Sequence, residues 1–267
     1  MAKTIEPLSP LFDSHCHINS REFESDRAET VQRMKDAGLV GALVLGCEVV
    51  EQTPLLDLVR QYPGYLYGAW ALHPEYENVT EVTTDEIIAF CAQPEIVAVG
   101  ETGLDYHWCK GDLTWQKERF VRHIEAAKTL NKPLVIHARE SEKDAVDILE
   151  KHKAGDIGFV MHCYGGDAET AKRAVDIGGL VSFTGVLTFK NAQDLRDVAK
   201  TLPIERVMIE TDCPYMAPVP FRGKRNEPAY VGAVAHTLAA IHEMDASDVA
   251  RITTETAKRF FRIEEPC

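Results

Sequence analysis

Leu11-Phe12-Asp13-Ser14-His15-Cys16-His17-Ile18 opens on two apolar residues and carries two histidines two positions apart. The stretch reads as a β-strand. Alternate side chains of a strand share a face, so His15 and His17 point one way and Cys16 the other. No Gly-rich phosphate fingerprint follows it, which argues against an open doubly wound sheet. The hydrophobic pattern then switches repeatedly between short β-rich runs and longer stretches of helical period. Residues 39–45, 65–72, 95–100, 133–137, 158–162, 180–184 and 206–211 continue the apolar runs. Helical segments fill gaps: 26–37, stopped by Gly38; one ending near Pro63; 115–130, with Phe120, Ile124 and Ala127 in phase; and 141–152. In the last of these Ser141 is placed to cap, and Glu142 and Asp144 suit the helix dipole. About eight β units alternating with helices predict a closed (β/α)8 TIM-type barrel with its site at the C-terminal ends of the strands.

A chain of 267 residues buries a sizeable core, and residues 1–267 read as one domain. No apolar run approaches a membrane span, and residues 1–10 lack the apolar segment of a signal peptide. Seven cysteines without a CxxC pair suit reduced thiols and a cytoplasmic setting. The chain holds 29 basic and 42 acidic residues, a net charge of −13, which argues against tight sequence-independent binding along a duplex. A nucleic acid end stays open, because bound cations make a pocket locally positive inside an acidic protein.

The chemistry-bearing residues fall at the ends of the predicted strands. Glu101 closes the run 96–100, His137 closes 134–136, His162 closes 159–161 and Asp212 closes 207–211. Each alone could be a core residue or a surface ion pair. Together with His15 and His17 they form a set of metal-ligand types delivered by several strand ends, as barrel sites are built. Nitrogen and oxygen donors without an obvious thiolate suit Mg, Mn or Zn, the identity left open. Six ligands exceed the three of one open catalytic zinc site, so two divalent cations sharing Glu101 are expected, roughly 3.5–4 Å apart. Asp212 then binds one cation and orients or deprotonates the attacking water.

Residues of lesser weight surround these. His73, in Leu72-His73-Pro74, is placed to hydrogen-bond a substrate phosphate or to cap a loop. Glu210 shares the face of Asp212 and can support a ligand. Thr102-Gly103-Leu104-Asp105 reads as a tight loop, with Asp105 and Tyr106 at the mouth. Cys163 and Cys213 follow proposed ligands and are read as packing residues. Arg139, Arg222, Lys224 and Arg225 lie near the same rim, where cations suit an anionic substrate. His107, His123, His152, His236 and His242 fall in loops or helices and are read as structural.

The chain resembles the TatD-type deoxyribonuclease family of metal-dependent hydrolases. The matching segments are Phe12 to His17, Gly100 to Tyr106, Ile136 to Arg139, Met161 to Gly166, Gly185 to Asn191, Glu210 to Tyr215 and Arg225-Asn226-Glu227-Pro228. The resemblance implies one cation on His15, His17 and Asp212, a second on His137 and His162, and Glu101 bridging. It also implies Arg225, Asn226 and Glu227 as pocket residues and 3′–5′ exonuclease action on ends of single-stranded DNA or RNA. Ala71-Leu72-His73-Pro74 departs from the family's Gly-x-His-Pro, and Thr254 to Ala257 departs near the C-terminus. A monomer is expected. Two other readings remain: hydrolysis of a small amide, ester or lactone, and a non-catalytic metal-binding scaffold. Related barrels that attack carbonyls often bridge their metals with a carboxylated lysine where this chain has Glu101, and a scaffold is expected to have lost ligands.

Overall fold

The computed structural model describes residues 5–263. Its eight strands are β1 (Leu11–Cys16), β2 (Leu39–Gly46), β3 (Leu66–Trp70), β4 (Ile96–Asp105), β5 (Leu134–Arg139), β6 (Phe159–Met161), β7 (Leu180–Phe183) and β8 (Val207–Ile209). They lie in sequence order around one sheet, each neighbouring pair parallel. The connecting helices are α1 (Arg27–Asp36), α2 (Gln52–Gln61), α3 (Thr84–Cys91), α4 (Thr114–Leu130), α5 (Glu142–Lys151), α6 (Ala168–Asp176) and α7 (Gln193–Thr201), with α8 (Gly232–His242) and α9 (Ala246–Phe260) last. The architecture is the (β/α)8 barrel read from the sequence. Gly38 ends the α1 connection at φ +89°, where a Cβ would meet the Leu8 carbonyl at 2.2 Å. Among the described residues no helix is long and apolar enough to cross a membrane.

Strand alternation separates two cores. Phe12, Leu43, Leu45, Ala69, Ala98, Val135, Val160, Leu180 and Met208 fill the barrel interior, joined from α9 by Ala257 and from just beyond it by Phe261. Ala42, Val44, Val99, Ile136, Met161, Val181 and Ile209 face outward under the helices. Phe12 and Phe261 meet with ring centroids 6.4 Å apart and help plug the interior. Continuing each strand in steps of two from its inward residue leads toward the C-terminal mouth: Leu45 to Cys47, Val135 to His137, Val160 to His162, and Met208 to Glu210 and Asp212.

Two strands break this period, and both breaks serve the mouth. In β1 the pairing with β2 shifts between Asp13 and Cys16, so His15 joins the interior although it stands three residues after inward-facing Phe12. In β4 the pairing shifts between Val99 and Thr102, and Glu101 stands three residues after inward-facing Ala98. An irregularity of one residue re-aims the side chains that follow it.

The stretch Thr102–Asp105 is a correction to the sequence reading. It is no tight loop but the continuation of β4, with Gly103 opposite His137 and Asp105 opposite Arg139. Gly103 permits this, because at φ +143° a Cβ there would meet the His137 carbonyl oxygen at 2.0 Å. Ser141 also differs from expectation: its hydroxyl donates to the Leu104 carbonyl at 2.8 Å instead of capping α5.

The first and last strands close the ring through their ends. Ser14 Oγ donates to the Ile209 carbonyl at 2.9 Å, Asp212 N to His15 O at 2.9 Å, and His17 N to Cys213 O at 2.9 Å. Asp13, fully buried, accepts from Thr211 N at 2.9 Å and lies 2.5 Å from the Thr211 hydroxyl. Burial pushes the Asp13 carboxyl up to about 8 despite these bonds.

His123 ties α4 to the end of β3. Its Nε2 accepts from Leu72 N at 3.2 Å while Nδ1 donates to the Arg119 carbonyl at 2.8 Å, so both nitrogens are satisfied by a neutral ring. Burial lowers its pKa from 6.5 to about 4. The native state therefore resists a proton that the unfolded chain takes up. The stabilisation is fully present above pH 6.5 and is lost as pH falls through 4, on the order of 3 kcal/mol in all. Urea unfolding from pH 7 to pH 4.5 should show a steeper loss for the wild type than for His123→Gln; parallel profiles would refute this role.

Candidate metal centre

Glu101 stands at the centre of the mouth, ringed by five imidazoles. Its Oε1 lies 2.6 Å from His162 Nε2, 2.8 Å from His137 Nδ1 and 3.2 Å from His73 Nε2. Its Oε2 lies 3.2 Å from His15 Nε2 and 3.8 Å from His17 Nε2. Asp212, at φ +53°, brings Oδ1 to 3.5 Å from His17 Nε2 and 3.7 Å from His15 Nε2. All six residues singled out as ligands are thus brought together, with His73 beside them.

Burial pushes the Glu101 carboxyl up, but the imidazoles of His162, His73 and His15 and the His137 bond outweigh it and hold the group well below the ordinary range. Asp212 is likewise held low: burial opposes, and His17, His15 and His162 prevail. Burial lowers the pKa of His15 and of His73. His137 is raised to about 9, burial being overcome by its bonds to Asp105 and Glu101.

The outer nitrogen of each imidazole reveals what the inner one can do, since a neutral ring carries one proton. His17 sets Nδ1 against the Leu45 carbonyl at 3.3 Å, His137 sets Nε2 against Asp105 Oδ2 at 2.9 Å, and His162 sets Nδ1 against Glu210 Oε1 at 3.2 Å. Each outer partner is an acceptor, so when the ring is neutral the proton sits outside and a lone pair faces the mouth. His73 is the opposite case. Its Nδ1 accepts from Glu75 N at 3.1 Å, which puts the proton on Nε2 and makes His73 a donor into the site. This geometry suits His17, His137 and His162 as cation ligands and His73 as a hydrogen-bond donor to an anion.

Divalent cations fit this donor set. His15 Nε2 and His17 Nε2 lie 3.1 Å apart; two lone pairs so close repel, and a cation shared between them removes the conflict. His15 Nδ1 is a buried nitrogen with no hydrogen-bond partner, leaving Nε2 as the atom of that ring engaged at the mouth. The donor atoms of His15, His17 and Asp212 cluster within 4.8 Å of one another. Oxygen and imidazole donors in this mixture suit Mg, Mn or Zn.

The remaining candidates take supporting places. Glu210 accepts from Cys163 N at 2.7 Å and lies 2.5 Å from Ser182 Oγ, which fixes the carboxylate that faces His162. Asp105 accepts from Trp108 N at 2.7 Å and His107 N at 2.8 Å, joining the loop after β4 to His137. Arg225 and Glu227 turn their charged groups onto α1 and the residue before it, while Asn226 ties the loop after β8 together. Arg225 meets Asp26 at 2.6 and 2.7 Å, Glu227 meets Arg33 at 2.7 Å, and Asn226 Nδ2 donates to the carbonyls of Thr211 and Tyr215. Arg222 lies over the Phe189 ring.

Sequence reasoning passed over three residues at the mouth. Cys47 Sγ lies 3.9 Å from Glu101 Oε2. It follows the apolar run 39–46 just as the other ligands follow theirs, and that signal was available. Trp108 and Tyr215 are 62% and 61% exposed, each three residues beyond an acidic residue of the site, Asp105 and Asp212. The spacing repeats, but only the fold shows that both loops open on one face.

The model of the TatD related DNase family matches residues 12–262. A protein of Bacillus subtilis (strain 168) named the uncharacterized metal-dependent hydrolase YabD is 41% identical over 254 residues, covering 95% of this chain and 99% of its own length. The 3′-5′ ssDNA/RNA exonuclease TatD of Escherichia fergusonii is 32% identical over 259 residues, covering 95% and 99%. The crystal structure of YJJV, a TatD homologue from Escherichia coli K12, superposes with a TM-score of 0.87 at 27% identity, over 94% of this chain and 98% of that one.

Chelator treatment should lower the unfolding midpoint, and adding back Mn or Zn should raise it with concentration, by about 2.7 kcal/mol per site at a hundredfold excess over Kd. Asp105→Asn should weaken divalent-ion affinity roughly 10- to 100-fold by releasing His137. Calorimetric titration reads both, and a midpoint indifferent to every divalent ion would contradict the assignment.

Proposed function

Since this chain belongs to the TatD-related DNase family of metal-dependent hydrolases, we propose that it is a phosphodiesterase that removes nucleotides from the 3′ ends of single-stranded DNA or RNA. The observation that carries the reading is Glu101, a carboxylate within β4 ringed by five imidazoles. His15, His17 and Asp212 would hold one cation and His137 and His162 the other, with Glu101 between them. Such cations supply Lewis acidity to a phosphate oxygen and lower the pKa of water.

The chain's own groups do the rest. Asp212 orients the attacking water and takes its proton, and the water oxygen bonds to phosphorus as the bond to the neighbouring 3′ oxygen breaks. The proton then passes to that leaving oxygen. His73 Nε2–H donates to a phosphate oxygen, a role its Glu75 partner prepares. Arg225, Asn226 and Glu227 shape the wall of the pocket through the loop after β8.

Two exposed rings favour a nucleic acid over a small amide or lactone. Trp108 and Tyr215 lie on the loops after β4 and β8, four strands apart in a ring of eight and so across the mouth from one another. Arg139 holds its guanidinium 5.4 Å from the centre of the Trp108 ring. Aromatic faces of this kind stack on bases irrespective of sequence.

Purified protein is expected to release mononucleotides from 5′-labelled single strands with Mg or Mn, shortening them from the unlabelled end. Glu101→Gln and Asp212→Asn should each reduce the rate by at least about 100-fold. Trp108→Ala should raise KM for oligonucleotides by about tenfold, the worth of one stacked base, while leaving hydrolysis of a small alkyl phosphodiester unchanged. Full activity in both carboxylate variants would sink the mechanism. Turnover of a lactone or amide with none of a phosphodiester would sink the substrate class.

A further inference from the structure

The ion position beside His17 contains a group that the six-ligand set leaves out. Cys47 stands two residues beyond Leu45, which faces the barrel interior, so strand alternation carries its side chain to the mouth. Its backbone is held on both sides: the amide donates to Glu51 Oε2 at 2.5 Å, and the carbonyl accepts from His73 N at 3.0 Å. The thiol is therefore not free to swing with a loose loop.

The surroundings of this thiol differ from those of its fellows. Cys16, Cys91 and Cys109 lie against the backbone carbonyls of Leu43, Trp70 and Pro74, as buried structural thiols do. Cys163 packs against Met216 Sδ and Thr184 Oγ1. Cys47 Sγ instead faces Glu101 Oε2 at 3.9 Å, and His17 Nε2 lies 3.8 Å from that same oxygen. One nitrogen, one sulfur and one oxygen cluster within 4.8 Å. Three unlike donors converging from the ends of β1 and β2 and from β4 amount to half of a six-coordinate shell or three-quarters of a four-coordinate one.

The geometry points to Cys47 as a sulfur ligand of the cation held by His15, His17 and Asp212, which makes that position selective for thiophilic divalent ions such as zinc and cobalt over magnesium and manganese. The thiol releases its proton to solvent as the bond from sulfur to the ion forms. The inference rests on the reading that this cluster seats cations, and it is independent of which substrate is cleaved. Neither the cluster that contains His137 nor the one that contains His162 includes a thiol, so that side stays a nitrogen and oxygen site. The two positions are thereby unequal in softness.

The full chain, stripped by chelator, is titrated with Co(II) and followed by absorption. Visible ligand-field bands report that cobalt has bound at all, and a sulfur-to-cobalt charge-transfer band in the near ultraviolet reports the thiolate. The band is expected in the wild type, retained in Cys163→Ser and lost in Cys47→Ser. Competition titration should show the Zn-over-Mn preference falling at least about tenfold in Cys47→Ser, since even outer partners of a metal carry roughly 10- to 100-fold. In the wild type, bound Zn should shield Cys47 from alkylation, read by peptide mass mapping without any variant. Ligand-field bands without charge transfer, or alkylation of Cys47 indifferent to Zn, would overturn the assignment. Absence of all cobalt bands would instead overturn the cation site itself.

Discussion

A ring of eight strands closes only if the last strand finds the first, and in this protein the residues that close the ring belong to the site. β8 is three residues long, and the seam is completed beyond it by the bonds from Asp212 N to His15 O and from His17 N to Cys213 O. Three of those four residues, His15, His17 and Asp212, carry the side chains of the candidate site. Asp13, buried against Thr211, locks the same seam from within. Barrel closure and the placement of one half of the candidate metal centre thus rest on the same backbone bonds.

The other half depends on the carboxylate at the axis. A buried anion is costly unless charge and hydrogen bonds surround it. Glu101 meets that demand with imidazoles from several strands, and two of them lean outward on acidic groups, His137 on Asp105 and His162 on Glu210. The negative charge of the chain therefore does not oppose an anionic substrate. Much of it at this site orients histidines, and histidines so oriented present lone pairs to cations.

The barrel and the convergence of the six candidate ligands were legible because both depend on period and position. Apolar runs of strand length mark β1 to β8, and a ligand type after an apolar run marks the mouth. What escaped reading has a physical reason in each case. The register shifts in β1 and β4 depend on pairing with a neighbour, which no single strand records, although they aim His15 and Glu101 inward. Thr102–Asp105 reads as a turn because Gly103 suits one, whereas in the barrel that glycine lets β4 pass close to His137. Cys47 was hidden by its type: a lone thiol suggests packing until its neighbours are known. The expected pocket role of Arg225, Asn226 and Glu227 rested on the motif alone; the partners of Arg225 and Glu227, on α1 and just before it, lie about 200 residues away and could not be read from sequence.

Those partners have a consequence for traffic. Arg225 on Asp26 and Glu227 on Arg33 brace the loop after β8 against the start of the chain, so that side of the opening is masonry and not a door. At the far end Phe12 and Phe261 stopper the interior. A molecule that reaches the carboxylate at the axis must leave by the way it came. Arrival and departure exclude one another in such a cul-de-sac, so a spent molecule occupies the route that the next one needs.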